Sequence, residues 1–577
     1  MNLATIIKRL IIYQEPKAYD RFELLEDETE DMGFDQRDEK TPPYATFKPR
    51  GTLFAKISRW FRSSEDESQQ NGVDNDLLNR RLQLNLERIK RDFDSPTNQD
   101  VVIRHLKILQ RNRASIVYIK GIVDQNAIDR DIIRQLLSGD GAQISMKRNL
   151  IKYMANNLLS ANQITLTSRL TDIIQQLLDG QTALLVEGYA ECILIGTAKR
   201  EKRAVSTPLQ EFVVDGPNQA FVEELRTNIT LIRQILRTRT LITEMMKVGR
   251  INRLDCGILY VENTVNPKIV EEVKRRIKGI DLDSVPNGAL AQLIEDHPNA
   301  ILPQVLKTER PDRVASLLLQ GRVAILHEGT PAAFIVPITF FHFFHTSEDF
   351  TLRWQYSNFL RWIRFFATGV AVFLPGLYIG LTLYHQEAIP AGLLFSLVRT
   401  RQNLPFPVVL ELFLMEVSWE LIREAGIRVP GVIGQTLGIV GGVILGQAAV
   451  TAGLVSPILI IIIAITGLGN FAIPNFPIAF GLRILRFFFT LLGTVAGFYG
   501  TTVGIFIVFG LACSMKSFGV PYFAPVAPTT RSFPVIFTTP IWLRTERPDA
   551  LSPRKRKKAK NRVRLWMKQE GKNGGSP

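Results

Sequence analysis

The sequence predicts an α+β membrane protein: a duplicated α/β cytosolic domain followed by an α-helical polytopic transmembrane domain. Three observations predict it. Phe365–Tyr384, Gly431–Leu482 and Phe487–Met515 hold no Asp, Glu, Lys or Arg, and a bilayer core needs about 20 predominantly apolar residues per helix. Two upstream blocks repeat at offsets of 142 and 141 residues: Tyr118–Asp124 with Tyr260–Asn266, and Leu177–Gly188 with Leu318–Gly329. Mean hydropathy is only +0.07 over 577 residues, which fits a large soluble part fused to a compact membrane part.

Residues 1–75 read as a disordered or amphipathic extension. Lys8 and Arg9 interrupt the first apolar run and no small-residue cleavage site follows, so 1–13 is not a secretory signal. Residues 14–50 are polar and acid-rich, the composition of a disordered segment. In 52–62, Phe54, Ile57 and Phe61 fall at helical spacing among Lys56, Arg59 and Arg62. Such a helix lies on an anionic membrane surface or docks on another protein segment. Residues 63–75 are a polar linker.

Residues 76–350 form the soluble domain. In each copy a short strand (Ser115–Ile119, Gly257–Val261) precedes an amphipathic helix running to Leu137 or Ile277. A second helix ends near Gly180 or Gly321, since glycine is a usual helix stop. A second strand (Ala183–Val186, Val323–Leu326), a Glu-Gly turn and a third strand (Glu191–Gly196, Ala332–Val336) follow. This gives two similar α/β subdomains at about 76–200 and 250–345. Phe221–Val248, rich in Leu, Ile, Arg and Thr, reads as long connecting helices. No G-x-x-x-x-G-K-[ST], no G-x-G-x-x-G after a strand and no G-x-S-x-G occurs. The expectation is a non-enzyme with no catalytic, metal or cofactor residues. His342, in the aromatic run Phe340–Phe344, and His345, just beside it, make an H-x-x-H pair; a metal pair and an interfacial aromatic belt are the two readings, the belt favoured.

The net charge is +15 and the pI about 9.7. No zinc finger, aromatic RNA-binding signature or basic zipper supports a nucleic-acid partner. In a membrane protein such an excess gathers on the cytoplasmic side and near headgroups. Arg361 and Arg364 precede the first span, and Arg554–Lys558 opens a basic tail. Both the N-terminal domain and the tail are therefore placed inside, and the number of crossings is even. The expected spans within 351–515 are about 365–384, 432–452, 455–473 and 486–513, with Pro375 kinking the first and Thr451–Ser456 forming a hairpin. Residues 385–430 are either an outer loop with interfacial or re-entrant helices or two further short spans. Residues 516–577 are a basic cytosolic tail. Cys192, Cys256 and Cys513 are isolated, with no disulfide framework or metal spacing.

Two patterns in the membrane part carry candidate function. Read as a helix, Pro407–Glu424 puts Glu416, Glu420 and Glu424 on one side, with Arg423 beside them and Glu411 elsewhere. Ionisable groups at membrane depth are costly and face protein or water. The stripe, with Gln435 and Gln447 of the next span, is a candidate ion pathway or gate. The competing readings are structural pairing with Arg423, Arg428 or arginines of a neighbouring subunit, and an interfacial helix wetting its acids. Gly438, Gly442 and Gly446 recur every fourth residue, a spacing that lets helices approach closely in lipid.

Taken in order, Pro405-Phe-Pro, Glu411, Met415-Glu416 and Glu420–Pro430 resemble the signature of the A-subunit family of bacterial spore germinant receptors, the GerA family. Its motif residues here include Arg423, Glu424, Ala425, Gly426, Arg428 and Pro430. Thr308-Glu-Arg-Pro-Asp312, Ser347-Glu-Asp349, Arg361-Trp-Ile-Arg364, Arg483-Ile-Leu-Arg-Phe487 and Ser517–Tyr522 continue the likeness, which covers about 80–550. The resemblance implies a multi-pass receptor subunit of the inner spore membrane that starts germination when nutrients appear. It implies a permease-like B subunit and a lipoprotein C subunit as partners, a homo-oligomer, and a role in making or gating an ion-release pathway. A transporter in its own right and a non-conducting scaffold are the competing functions.

Overall fold

The computed structural model describes residues 76–558 apart from 109–111, 139–149, 162, 199–206, 209–210, 212, 214, 287, 429–431 and 531–535. The N-terminal extension and residues 559–577 lie outside the described residues. Among the described residues, one compact unit holds 76–201 together with Arg237–Arg239; the other holds 202–236 and 240–558.

The first unit is built on five antiparallel strands, β1 (Val101–Ile108), β2 (Asn112–Ile119), β3 (Ile164–Thr167), β4 (Gln181–Val186) and β5 (Cys192–Gly196), in the order β1-β2-β4-β5-β3. Helix α1 (Leu82–Asp92), a helical run over 125–138 and α2 (Leu170–Leu178) close its core. The second unit repeats this order as β6-β7-β9-β10-β8, from β6 (Leu241–Val248), β7 (Leu254–Val261), β8 (Leu306–Thr308), β9 (Val323–His327) and β10 (Ala333–Val336). Its helices are α3 (Leu225–Ile235), α4 (Pro267–Lys278) and α5 (Pro311–Leu318).

The likeness of the two sheets extends to single side chains. Asp124 caps the first helical run through Asn126 and Ala127, and Asn266 caps α4 through Lys268. The buried Asn85 amide bonds the backbone of Asn79 in both directions, as Asn228 does with Val222. Glu187 accepts from the Leu82 N–H, and Glu328 from the Leu225 N–H. Gly180 and Gly321, which end α2 and α5, sit at φ +91° and +98°, a region that favours glycine because it lacks Cβ. Thus α3 stands to the second sheet as α1 stands to the first.

The connecting helices expected over Phe221–Val248 are only half present. α3 stops at Ile235, and Leu241–Val248 is a strand paired residue for residue with β7. Leu241 and Ile242 enter cores on opposite faces of the sheet. That ladder and burial override the helix preference of Glu244, Met245 and Met246.

The second sheet is buried on both faces. One face packs on α4. The other forms a core with α5, Phe343, Phe344, Val372, Leu482, Leu485 and Phe489, so this compact unit runs continuously across residue 350. The aromatic run Phe340–Phe344 is a 3-10 turn inside it, with Phe341, His342, Phe343 and Phe344 buried; an interfacial belt does not describe it, because Phe340 stacks on Phe523 and Phe344 meets Phe365.

The helical region comprises α6 (Trp354–Leu383), α7 (Ala391–Arg401), α8 (Val408–Arg428), α9 (Val432–Thr451), α10 (Pro457–Phe471) and α11 (Phe476–Ser514). Among the described residues two helices, α6 and α11, are long and apolar enough to cross a membrane. The span expected at 455–473 is a helix of 15 residues, about 22 Å long at 1.5 Å per residue, short of a core of about 30 Å. Pro474 lies just beyond it and discourages continuation. Residues 385–430 hold α7 and α8. The expected hairpin at Thr451–Ser456 is present, with Gly453 at φ +64°. The last span starts earlier than expected and is broken at Ala496–Gly497, where the backbone leaves helical geometry. Tyr384 Oη donates to the Thr494 and Val495 carbonyls beside the break, satisfying groups that apolar surroundings would otherwise strand. α6 and α11 meet at Gly376 and Gly493, where a Cβ on either would collide with the other helix's backbone.

Candidate functional site

Helix α8 carries the acidic stripe, and α11 carries Arg483 and Arg486 three residues apart on the same face. Glu420 lies between the two arginines: Arg483 Nη1 donates to Oε2 at 2.9 Å and Arg486 Nη2 to Oε1 at 2.7 Å. Glu416, 1% exposed, has neither carboxylate oxygen hydrogen-bonded among the described residues. Its ion partner is Arg486, whose Nε stands 3.5 Å away and whose side chain is 2% exposed. Arg483 also covers the Phe480 ring and Arg486 the Phe487 ring. The result is a four-member ionic cluster with aromatic walls, in surroundings where isolated charges are strongly disfavoured.

The structure separates the remaining stripe residues from this cluster. Glu424 pairs with Arg428 at 2.7 Å on the exposed end of α8. The Arg423 guanidinium lies over Phe471. Glu411 is buried and accepts from the Ser456 N–H, tying α8 to the start of α10. Ala425 is exposed and Gly426 half-buried, while Pro430 lies outside the described residues. Gln447 is exposed on α9. Gln435 and Gly438 belong to α9, but their side-chain surroundings lie outside the described residues. Gly442 faces Trp419 and Gly446 faces Ile460, each at ordinary contact distance for an added Cβ. Trp419 presses much harder on Gly467 of α10, where an added Cβ would lie 2.7 Å from the indole Cε2.

A second ionic centre sits at the start of α6. Asp349, fully buried, accepts from Arg361 Nε at 3.1 Å and from Arg364 Nη1 at 3.0 Å. Arg364 also donates to the Phe344 carbonyl and Thr346 Oγ1. Next to it, Arg322 Nη2 donates to His342 Nε2 at 2.7 Å. Arg322 can only donate, so His342 Nε2 is the acceptor and its Nδ1–H donates to Thr339 Oγ1. Burial first, then the Arg322 charge, holds the His342 imidazole well below its usual value. Both of its nitrogens are engaged, and no group of three or more metal-ligand side chains occurs among the described residues.

Reasoning from sequence missed Arg483, Arg486, Asp349 and Gly467 as site residues. The signal was present for three of them: Ser347–Asp349, Arg361–Arg364 and Arg483–Phe487 are short polar clusters flanking apolar runs, and each acid needed a partner. No local pattern distinguishes Gly467 from its neighbours.

Twin antiparallel sheets joined to a helical region with two helices of spanning length define a membrane-associated protein with a substantial folded β-rich part. The chain belongs to the family described as Bacillus/Clostridium GerA spore germination protein, whose family model matches residues 87–550. It is 35% identical over 481 residues to "Spore germination protein KA" of Bacillus subtilis (strain 168), covering 82% of this chain and 88% of that protein. It is 34% identical over 445 residues to "Spore germination protein GerLA" of Bacillus cereus, covering 77% and 89%. Among solved structures it is similar to the N-terminal domain of the A subunit of the Bacillus megaterium spore germinant receptor GerK3, at 32% identity and a TM-score of 0.37, over 46% of this chain and 97% of that one.

Proposed function

We propose that this chain is a non-enzymatic A-type subunit of a nutrient-triggered germinant receptor in the inner spore membrane. It forms or gates an ion-release pathway as a homo-oligomer, in complex with a permease-like B subunit and a lipoprotein C subunit. Its folded N-terminal part and its basic tail lie in the cytosol. The observation that carries the reading is the Glu416–Glu420–Arg483–Arg486 cluster between α8 and α11. Charge at such depth is retained where it serves a path or a switch. Exposed Phe359, Trp362, Phe366, Val495, Tyr499 and Phe506 supply apolar surface for lipid or neighbouring subunits.

The test is ion flux from liposomes holding the purified chain with and without its partner subunits. Flux that changes ion selectivity in Glu416→Gln or Glu420→Gln supports the pathway; unchanged selectivity in folded, assembled variants rejects it. A scaffold is the second reading, favoured by the full pairing of Glu420 with two arginines of its own chain. It predicts no flux under any combination of subunits.

A further inference from the structure

Residues 536–558 fold back onto the second compact unit. Asn358 of α6 holds Thr538 from both sides, donating to its carbonyl at 2.9 Å and accepting from its N–H at 2.6 Å. Farther on, the Arg547 N–H bonds the Arg556 carbonyl and the Lys558 N–H the Thr545 carbonyl, making a hairpin. The hairpin is pinned by Asn266 donating to Ser552 O, by the Arg554 N–H donating to Thr264 O, and by Arg547 Nε donating to Leu319 O.

Between this segment, α5 and the first turns of α6 lies a cavity of about 270 Å³. Six cationic side chains line it: Arg313, Arg361, Arg544, Arg547, Arg556 and Lys558. The lining carboxylates are Glu546 and Asp549. Behind the wall Glu211 pairs with Arg313, and Asp349 with Arg361 and Arg364, while Arg322 bonds His342; two carboxylates against two further arginines leave the cationic excess of the lining in place. Arg361 is 3% exposed; its Nε is bound to Asp349, and its Nη1 has no hydrogen-bond partner among the described residues. A buried guanidinium N–H without an acceptor is unfavourable, and a ligand oxygen relieves it.

We propose that this cavity binds a small phosphate-type oxyanion, either free phosphate or the phosphomonoester head of an anionic lipid. Guanidinium forks match the oxygens of a phosphate better than they match a halide. The volume falls below the roughly 300–1,000 Å³ of pockets for drug-sized ligands, which suits a single phosphate. The cavity opens beside the N-terminal turns of α6, one of the two helices of spanning length, where a headgroup phosphate is in reach.

The test uses the detergent-solubilised full-length chain. Binding of radiolabelled inorganic phosphate is followed by equilibrium dialysis. Binding of short-chain phosphatidic acid, against phosphatidylcholine of the same chain length, is followed by native mass spectrometry. Saturable binding of either phosphate species that weakens with salt, and falls about tenfold in Arg544→Gln and in Lys558→Gln, supports the site. Lys555→Gln, in the same hairpin but outside the cavity, should leave binding unchanged. Uptake of both probes in competition identifies free phosphate as sufficient; uptake of phosphatidic acid alone identifies the lipid head. Should Arg544→Gln misfold, the exposed Lys558→Gln decides. No binding of either species, or binding equal in wild type and Lys558→Gln, overturns the proposal.

Discussion

Arg486 of α11 donates to Glu420 of α8 at 2.7 Å, joining two motifs 66 residues apart. With Arg483 on the other carboxylate oxygen, Glu420 is the hinge of the cluster and Glu416 its buried annex. The two acids therefore differ in role although they lie one helical turn apart. Removing one partner of a buried ion pair costs about 3–5 kcal/mol because the other charge is left stranded. Glu420 is about a quarter exposed, so Glu420→Gln is expected near the lower end of that range. Glu416 accepts no hydrogen bond among the described residues, so Glu416→Gln should cost less. Thermal melting of both variants in detergent checks this; a larger loss in Glu416→Gln would reverse the assignment.

Asp349 serves two arginines from a site with no exposed surface. Asp349→Asn keeps the shape and removes the charge that balances Arg361 and Arg364. The variant is expected to lose several kcal/mol, of the order of the buried-pair figure, and to express poorly. Asp349→Asn with Arg361→Gln should recover part of that loss. A double variant no better than the sum of the singles would show that the two residues are not coupled.

Glycines in the helical region divide by what a side chain would meet. At Gly442 an added Cβ reaches Trp419 at an ordinary 3.6 Å, whereas at Gly467 it reaches the same indole at 2.7 Å. Gly442→Ala is expected to fold and assemble nearly as the wild type, while Gly467→Ala loses about 1–3 kcal/mol through overpacking. Trp419→Phe should relieve the second and not the first. Size-exclusion profiles and melting temperatures of the four variants decide it.

The legible parts of the sequence were those written in short-range pattern. Apolar run length found α6 and the apolar stretch of α11, and the echo at Tyr118/Tyr260 and Leu177/Leu318 found strands β2, β4, β7 and β9. What stayed hidden is written in long-range contacts. β6 carries Glu-Met-Met, a helix-favouring run, and becomes a strand because β7 lies beside it. Glu416 and Glu420 announced a need for partners, but helix periodicity says nothing of α11, so their pairing with Arg483 and Arg486 emerged only in three dimensions. Asn85 and Asn228 each tie down the segment before their helix through two backbone hydrogen bonds, contacts that no local pattern announces.

That equivalence is testable. Asn85 is 1% exposed and satisfies the Asn79 N–H and carbonyl. Replacing it with Ala strands those backbone groups, at about 1–3 kcal/mol for a buried group. A fragment of residues 76–201 has its own core and is expected to fold, so the loss is readable by urea unfolding of that fragment. Asn228→Ala in the full chain should lower the melting temperature in the same direction. A neutral Asn85→Ala would show that the shared geometry is a relic of sequence likeness with no stabilising role.

His342 provides a pH dependence whose sign is fixed by its neighbours. Its ring is buried, Arg322 donates to its Nε2, and Arg313, Arg361 and His345 add positive charge around it. All of these oppose protonation, so the folded state holds the imidazole well below the ordinary 6.5. Above that value the ring is neutral in both folded and unfolded chains, and it contributes no pH dependence. As pH falls through 6.5 the unfolded chain takes up a proton that the folded chain refuses, and stability falls. The slope approaches about 1.4 kcal/mol per pH unit for one such group. His342→Gln offers an amide oxygen to Arg322 and has nothing to titrate. The wild type should therefore lose more stability than His342→Gln between pH 6.5 and 5.5, while the two run parallel above pH 7. Melting curves of both proteins in detergent across that range measure the difference. Parallel curves throughout would mean that His342 accepts its proton in place, with Arg322 moving aside to let it.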